Sequence, residues 1–371
     1  MEQMGVWARW MVNGAVLLFV VLIAYSCSLA GAVPEQRGAF AGRPEVNAFV
    51  SRMVARHHFD RRALDHLFAR ATPQPSILKT MAAPAGKAWS WYRYRRTFVN
   101  QRRITGGTAF WNEYRANLDK ARQVFGVPNA IVVAIIGVET RYGRHVGGYR
   151  VFNVLSTLAF DYPPRAAFFR RELEHFLVLA RDAGANPLSI RGSYAGAMGI
   201  PQFMPSSFLR FAVDFDGDGR RNVWTDKVDT IGSVANYLQR YGWRAGGPVA
   251  VRAEVRGDRY QRILDEGIKP RRTVAALEKL GITPATPVPS SQSAALIALK
   301  GKDGMQYWLI FHNFYVITRY NRSVKYAMAV YQLAHAIDAA RRQAAVKPTA
   351  LLEQPLARLN RLLANVVRRG Q

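Results

Sequence analysis

One cysteine, Cys27, stands in 371 residues. That excludes an intramolecular disulfide framework and a zinc site built from thiolates. Acidic side chains are scarce: 25 Asp and Glu face 52 Lys and Arg, a formal net charge of +27. Histidines number seven, and the adjacent His57 and His58 have no further His or Cys at metal-ligand spacing, so they read as ordinary structural residues. Internal repeats and long low-complexity tracts are absent. What is present is apolar material, 49% of the chain, with 12% aromatic residues. A chain of this composition buries a core and is not intrinsically disordered. The charge calls for an anionic partner, and charge alone does not choose among nucleic acid, acidic lipid and an acidic polymer.

The N-terminus narrows that choice. Met11 to Ala32 carries no charge, and its apolar centre at 15–24 has the length of a signal-peptide core. Arg9 precedes it, and Ala30-Gly31-Ala32 has the small-x-small form of a cleavage site. Three arrangements fit: a cleaved signal with a mature chain from Val33, an uncleaved membrane anchor, and lipidation at Cys27. All three put the remainder outside the cytoplasm, in the periplasm. With no groove-reading motif in the sequence, no nucleic-acid partner is expected.

Hydrophobic periodicity makes the chain mainly α, with a small β component. Residues 33–125 read as a helical N-terminal domain: Val46, Phe49, Val50 and Met53 share a helix face, as do Leu64, Leu67 and Phe68. A Pro- and Gly-rich loop and an Arg- and aromatic-rich block (Trp89 to Phe98) lie within it. Residues 126–245 form a central core of apolar helices broken by a Gly-rich loop. Alternation over Val249–Val255 and Leu296–Leu299, with Pro284, Pro287 and Pro289 between, marks a β-containing insertion at 246–304. The chain returns to the core at 305–340 and ends in a helix at 341–371. Trp308 and Phe311 read as core residues, and Arg170-Arg171 and Arg271-Arg272 as solvated faces.

Two segments carry chemistry. In Pro128–Gly143 an apolar helix ends on Glu139, which shares a face with Val132, Ile135 and Ile136. Pro128 suits the first turn and Gly143 the stop. Burial and the negative end of the helix dipole both raise the pKa of such a carboxyl, as a general acid requires. The alternative is a buried Glu paired with Arg141 or Arg144. The second segment, Arg191–Ser207, is rich in glycine, with Ser193 and Gln202 to bond hydroxyls and Tyr194 and Phe203 to offer flat apolar faces. It suits a sugar chain, or a tight junction between helices.

These motifs carry a resemblance. Val138-Glu139-Thr-Arg-Tyr-Gly143, Ser193–Gly199, Pro201–Ser207, Asp214–Gly219 and Tyr320–Val330 together are similar, in order and spacing, to the membrane-bound lytic transglycosylase B family. The likeness runs from about Trp89 to about Ile337. It implies a lysozyme-like catalytic core and cleavage of the MurNAc-β-1,4-GlcNAc bond of peptidoglycan to a 1,6-anhydro end. One Glu, here Glu139, acts first as acid and then as base, with no cofactor in catalysis. It implies glycan contacts at Tyr94, Ser193, Gln202, Phe203, Tyr237, Tyr320, Asn321 and Tyr326, and a stem-peptide contact at Arg165. Pro164 and Phe168 stand where the family has an arginine and a tyrosine, which bears on the peptide contacts and not on the acid. A monomer acting on glycan strands, with membrane association through the N-terminus, is the expected form. A hydrolytic muramidase and a non-catalytic wall-binding protein are the competing readings. A hydrolase normally needs a second carboxylate, and none is marked by its local sequence.

Asp214, Asp216, Asp218 and Asn222 stand at positions 1, 3, 5 and 9 of an EF-hand-like loop, with Gly219 at 6 and Arg220 at 7, where the main-chain carbonyl serves. Position 12 is Thr225 in place of Glu, which leaves Asp226 or Asp229 to supply the late carboxylate; the family register favours Asp229. A structural Ca²⁺ is expected here.

Overall fold

The computed structural model describes residues 39–82 and 89–344. The expected signal or anchor at 1–32, Cys27, and nearly all of the expected helix at 341–371 lie outside the described residues. Among those described, no single helix is long and apolar enough to cross a membrane. The described residues form two compact units, each from two stretches: those up to 90 with 146–210, and 91–145 with those from 211 onward. The expected division at 125/126 therefore falls inside the second unit. The reason is packing: the apolar helix Asn129–Thr140 lies against Gln101–Glu113 and Arg115–Phe125, which cannot be separated from it.

In the first unit, Pro44–His57 buries Val46, Phe49, Val50 and Met53, the face read from the sequence. Arg61–Ala69 is capped by Asp60, whose carboxylate accepts from the Ala63 amide at 2.7 Å. Phe68 packs on Phe49, Phe152 and Phe160 at centroid distances of 6.0, 5.2 and 6.0 Å. Val151–Phe160 and Ala166–Asp182 pair on this core. His57 is structural, as read: its Nε2 lies 2.7 Å from Glu174 Oε1. His58 closes its helix with a φ of 56°.

The second unit contains the helices Trp91–Phe98, Gln101–Glu113, Arg115–Phe125, Asn129–Thr140, Lys227–Arg240 and His312–Tyr320, and helical residues 324–344. In Asn129–Thr140 every residue but Ala130 and Glu139 is buried, so the helix has no polar face to present to water. Pro128 caps it instead of opening its first turn. The helix stops at Thr140, three residues before Gly143, because Arg141 and Tyr142 themselves turn left-handed, at φ 52° and 64°.

The β-containing part is an antiparallel sheet in the order Arg272–Thr273, Ser293–Lys300, Met305–Ile310, Ala250–Val255, Ile282–Pro284. Its middle strand, Met305–Ile310, lies beyond the expected limit of 304. Trp308 there sits opposite Ile297 on one side and Arg252 on the other. Leu296, Leu309, Phe311, Val274, Leu277 and Ile282 form its small core. Trp308 and Phe311 are both buried.

Candidate active site

Glu139 projects from the last turn of a buried helix and keeps one edge in contact with solvent. The Tyr326 hydroxyl donates to its Oε1 at 2.5 Å. Arg141 and Arg144 do not pair with it among the described residues. Desolvation raises the Glu139 carboxyl to about 7, against the opposing effect of the Tyr326 bond. Among the described residues, no second carboxylate contributes to that shift. A group with this pKa is protonated in about half the molecules near neutrality and exchanges a proton readily in either direction.

Tyrosines surround it. Tyr326 stacks on Tyr320 at 6.4 Å and 9°, and Tyr320 meets Tyr237 at 4.7 Å. Tyr237 is buried, with its hydroxyl donating to the Arg319 carbonyl at 2.7 Å. Tyr94 stacks on Trp91 at 6.4 Å and lies 4.8 Å from Phe98. Burial pushes its phenol up to about 12, with the Glu139 charge adding to the rise. Burial, again with Glu139 beside them, holds Tyr320 and Tyr326 well above the usual phenol range. All three stay neutral donors wherever Glu139 works.

Local turns fix Tyr326. Ser323 Oγ accepts from the Tyr326 amide at 3.3 Å and caps the helix that begins at 324. Asn321 is exposed, and its Oδ1 accepts from the Ser323 amide at 3.2 Å. Ser323 was not singled out in the sequence, although a serine three residues before a helical tyrosine carries the cap signature.

Removing the Tyr326 hydroxyl removes a donor that favours the charged carboxylate. A hydrogen bond to a charged group contributes about 1.5–3 kcal/mol, which corresponds to roughly one to two pKa units. In Tyr326→Phe the alkaline limb of the kcat/KM profile therefore moves to higher pH by about that amount. A limb that stays in place or moves to lower pH contradicts the assigned bond.

A second set of residues supports the helix that carries Glu139 and went unread in the sequence. Tyr142 is buried across Gly106, Gly107 and Gly137: a Cβ added at Gly137 would lie 2.5 Å from its hydroxyl oxygen. That hydroxyl donates to the Arg103 carbonyl at 2.6 Å. Arg103 is buried, and its Nε donates to the Gly137 carbonyl at 3.2 Å. Its guanidinium is pulled down to about 10 by burial first and then by neighbouring Arg141 and Arg102. The available signal was Gly106-Gly107 inside a helix, where each glycine costs about 1 kcal/mol against alanine and marks a close approach.

In the first unit, Ser193 Oγ accepts from the Ala195 and Ala197 amides at 3.2 and 3.0 Å and so closes the turn of the Gly-rich loop. Gln202 adopts a φ of 52°, and its Nε2 donates to the Val146 and Gly199 carbonyls at 3.0 and 2.9 Å. A non-glycine residue held there stores strain of about 1–3 kcal/mol, which clusters at functional sites. Phe203 departs from its expected role as an open apolar face. Its side chain is 2% exposed and its main chain pairs with Met198, so it supports the loop from below. Glu172, unremarked in the sequence, is buried and accepts from the Ser206 amide and hydroxyl at 2.9 and 2.7 Å, which anchors the loop's exit. Arg165 is exposed, with its guanidinium 4.4 Å from the Phe168 ring centroid.

In the EF-hand-like loop, carboxylate oxygens of Asp214, Asp216 and Asp229 lie within 4.8 Å of one another. Asp218 is not in that group; its Oδ1 accepts from the Arg220 amide at 2.8 Å. Asp226 is committed as the cap of Lys227–Arg240, accepting from the Val228 and Asp229 amides. Asp229 is buried and accepts from the Phe215 and Asn222 amides, both at 2.7 Å. Desolvation raises its carboxyl despite those two bonds, and Asp226 and Asp214 add to the rise. Three converging hard oxygen donors, one of them buried, fit a calcium-sized cation, with the Arg220 carbonyl available from the same loop.

Residues 41–335 match the Transglycosylase SLT domain family. The chain is 45% identical over 320 residues to membrane-bound lytic murein transglycosylase B of Escherichia coli, spanning 84% of this chain and 87% of that relative. The chain belongs to the lytic murein transglycosylases. Among solved structures it resembles the soluble lytic transglycosylase SltB1 of Pseudomonas aeruginosa, with 47% identity, a TM-score of 0.77, and coverage of 80% of this chain and 99% of the other. It also resembles the Escherichia coli lytic transglycosylase Slt35 in complex with calcium, with 44% identity, a TM-score of 0.76, and coverage of 82% and 96%. This lytic transglycosylase therefore has the lysozyme-like fold of its relatives and acts in the cleavage of peptidoglycan.

Proposed function

We propose that Glu139 alone carries out both proton transfers of a non-hydrolytic cleavage. As the neutral acid it protonates the oxygen between MurNAc C1 and GlcNAc while that C1–O bond breaks. The resulting carboxylate takes the proton from the MurNAc 6-hydroxyl as that oxygen bonds to C1. A 1,6-anhydro ring forms, Glu139 regains its proton, and no water is consumed. The observation that carries this reading is a carboxyl raised to about 7 whose hydrogen-bonding partner is a phenol and not a second acid. A retaining or inverting hydrolase would need that second carboxylate within about 5–9.5 Å.

In this reading Tyr94, Tyr237, Tyr320, Asn321 and Tyr326 serve the sugar around Glu139, with Tyr326 also holding the carboxylate between its two tasks. Ser193 and Gln202 present the Gly-rich loop to the glycan, with Phe203 beneath it, and Arg165 meets the stem peptide. The chain works as a periplasmic monomer, tethered or released at its N-terminus. Fractionation with an intact-mass measurement of the mature N-terminus distinguishes the cleaved, anchored and lipidated forms.

Asp214, Asp216, Asp218, Asp229 and the Arg220 carbonyl would hold a structural Ca²⁺. The cation neutralises the converging carboxylates and takes no part in the chemistry. At free Ca²⁺ 100-fold above Kd the stabilisation is about 2.7 kcal/mol. EDTA therefore lowers Tm by several degrees and added Ca²⁺ restores it, while Asp229→Asn removes the response. A Tm indifferent to both reagents shows that the loop holds no ion.

A further inference from the structure

Arg102, Arg141 and Arg144 are brought to one place, and none of them meets an acid among the described residues. The turn after the catalytic helix is closed by the His145 amide on the Thr140 carbonyl at 3.0 Å and by the Gly143 amide on Thr140 Oγ1 at 3.0 Å. Tyr142, wedged over Gly106 and Gly107 and bonded to the Arg103 carbonyl, pins that turn to the first turns of Gln101–Glu113, where Arg102 stands. Arg102 and Arg144 are exposed and Arg141 is half-buried. None of the three forms an ion pair among the described residues. Burial and then Arg141, Arg102, Arg103 and Arg144 all hold the exposed His145 imidazole below its ordinary value, so the charge of each is felt at His145.

The helix dipole explains part of this. Arg141 and Arg144 follow the C-terminus of Asn129–Thr140, where a cation is favourable. It does not explain Arg102, which lies in the first turn of Gln101–Glu113, where a cation is disfavoured and where no acidic residue offsets it. Arg141 also adopts a strained φ of 52°. Mutual repulsion, an adverse dipole and backbone strain are retained together two residues from the catalytic acid. An anionic ligand would offset the repulsion and the adverse dipole.

We propose that Arg102, Arg141 and Arg144 form a carboxylate-binding site that takes the free carboxylates of murein stem peptides close to the scissile bond. This rests on murein being the substrate. Guanidinium groups suit carboxylates through paired N–H donors, and in an open site the contribution falls with ionic strength.

The test uses binding, so that it does not depend on the proton chemistry. In the Glu139→Gln background, co-sedimentation is measured with intact sacculi and with sacculi whose carboxyl groups have been blocked as amides. Arg102→Gln with Arg144→Gln is expected to weaken binding to intact sacculi about tenfold and to leave binding to blocked sacculi unchanged. The Tm of the double variant is expected to equal or exceed that of its parent, because repulsion is relieved. Unchanged binding to intact sacculi overturns the proposal. An equal loss on both substrates overturns the carboxylate as ligand, and a lowered Tm assigns the arginines a structural role instead. Should the wild-type enzyme, with Glu139 intact, release no anhydro product, the mechanistic reading fails while this binding result still stands.

Discussion

Glu139→Gln lowers the release of anhydro-ended fragments from sacculi by about 10⁴-fold, the upper range for loss of a single general acid–base group. The loss is large because one side chain performs two steps, and glutamine supplies neither a transferable proton nor a base. Wild-type kcat/KM falls as pH rises through about 7, where Glu139 loses its proton. Stability carries a mark of the same group with the same sign. A carboxyl whose folded pKa is raised contributes fully while protonated, below its unfolded value, and the contribution is lost as pH rises through about 7. The glutamine variant escapes that loss, so its Tm advantage over the wild type widens between pH 5 and pH 8. Retained clearing of sacculi, or a Tm difference that does not change with pH, contradicts the assignment.

Gly137→Ala unfolds the support of the same helix. Ordinarily alanine gains about 1 kcal/mol over glycine inside a helix. Here the new methyl would lie 2.5, 2.6 and 2.7 Å from Oη, Cζ and Cε1 of Tyr142. Tyr142 cannot retreat, because Gly106 and Gly107 lie against its other side and its hydroxyl is bonded to the Arg103 carbonyl. Overpacking costs about 1–3 kcal/mol, and a displaced buried hydroxyl bond about 1 kcal/mol more. The balance is a net loss of about 2 kcal/mol, seen as a Tm lowered by roughly 4–8 °C. Activity falls with it, since Gly137 lies two residues before the acid. Shortening Tyr142 in the same chain, as in Gly137→Ala with Tyr142→Leu, recovers part of the Tm. A single variant at or above the wild-type Tm shows that the wedge does not constrain the helix.

The residues that the sequence made legible are those whose role depends on local pattern. The buried face of Pro44–His57 follows from spacing alone. So does the position of Glu139 at the inner edge of an apolar helix, since an acid in such a run must either be paired or have its pKa raised. Spacing could not decide between those two outcomes. The arginines Arg141 and Arg144 are near in sequence, but the left-handed turn at Arg141 and Tyr142 ends the helix early, and the carboxyl bonds instead to Tyr326, 187 residues away. The Tyr142 wedge was hidden for the same reason: three glycines on two helices share one tyrosine only after the helices pack. Glu172 anchoring Ser206 is likewise a contact across 34 residues with no local mark. The sheet limit at 304 rested on alternation whose last stretch was Leu296–Leu299, yet the following strand, Met305–Ile310, pairs along its full length with the strand before it.

In the proposed mechanism the minority charge does the chemistry, in a chain with twice as many cations as acids. In the same reading the cations govern association with an acidic polymer, and that association is expected to weaken as ionic strength rises. The central claim is that a single carboxyl cleaves the glycan without water. Mass spectrometry of the fragments released from purified sacculi tests it most directly. The account requires MurNAc ends lighter by one water than the hydrolytic product, in the wild type and not in Glu139→Gln. Fragments carrying the full mass of a reducing MurNAc end would contradict it.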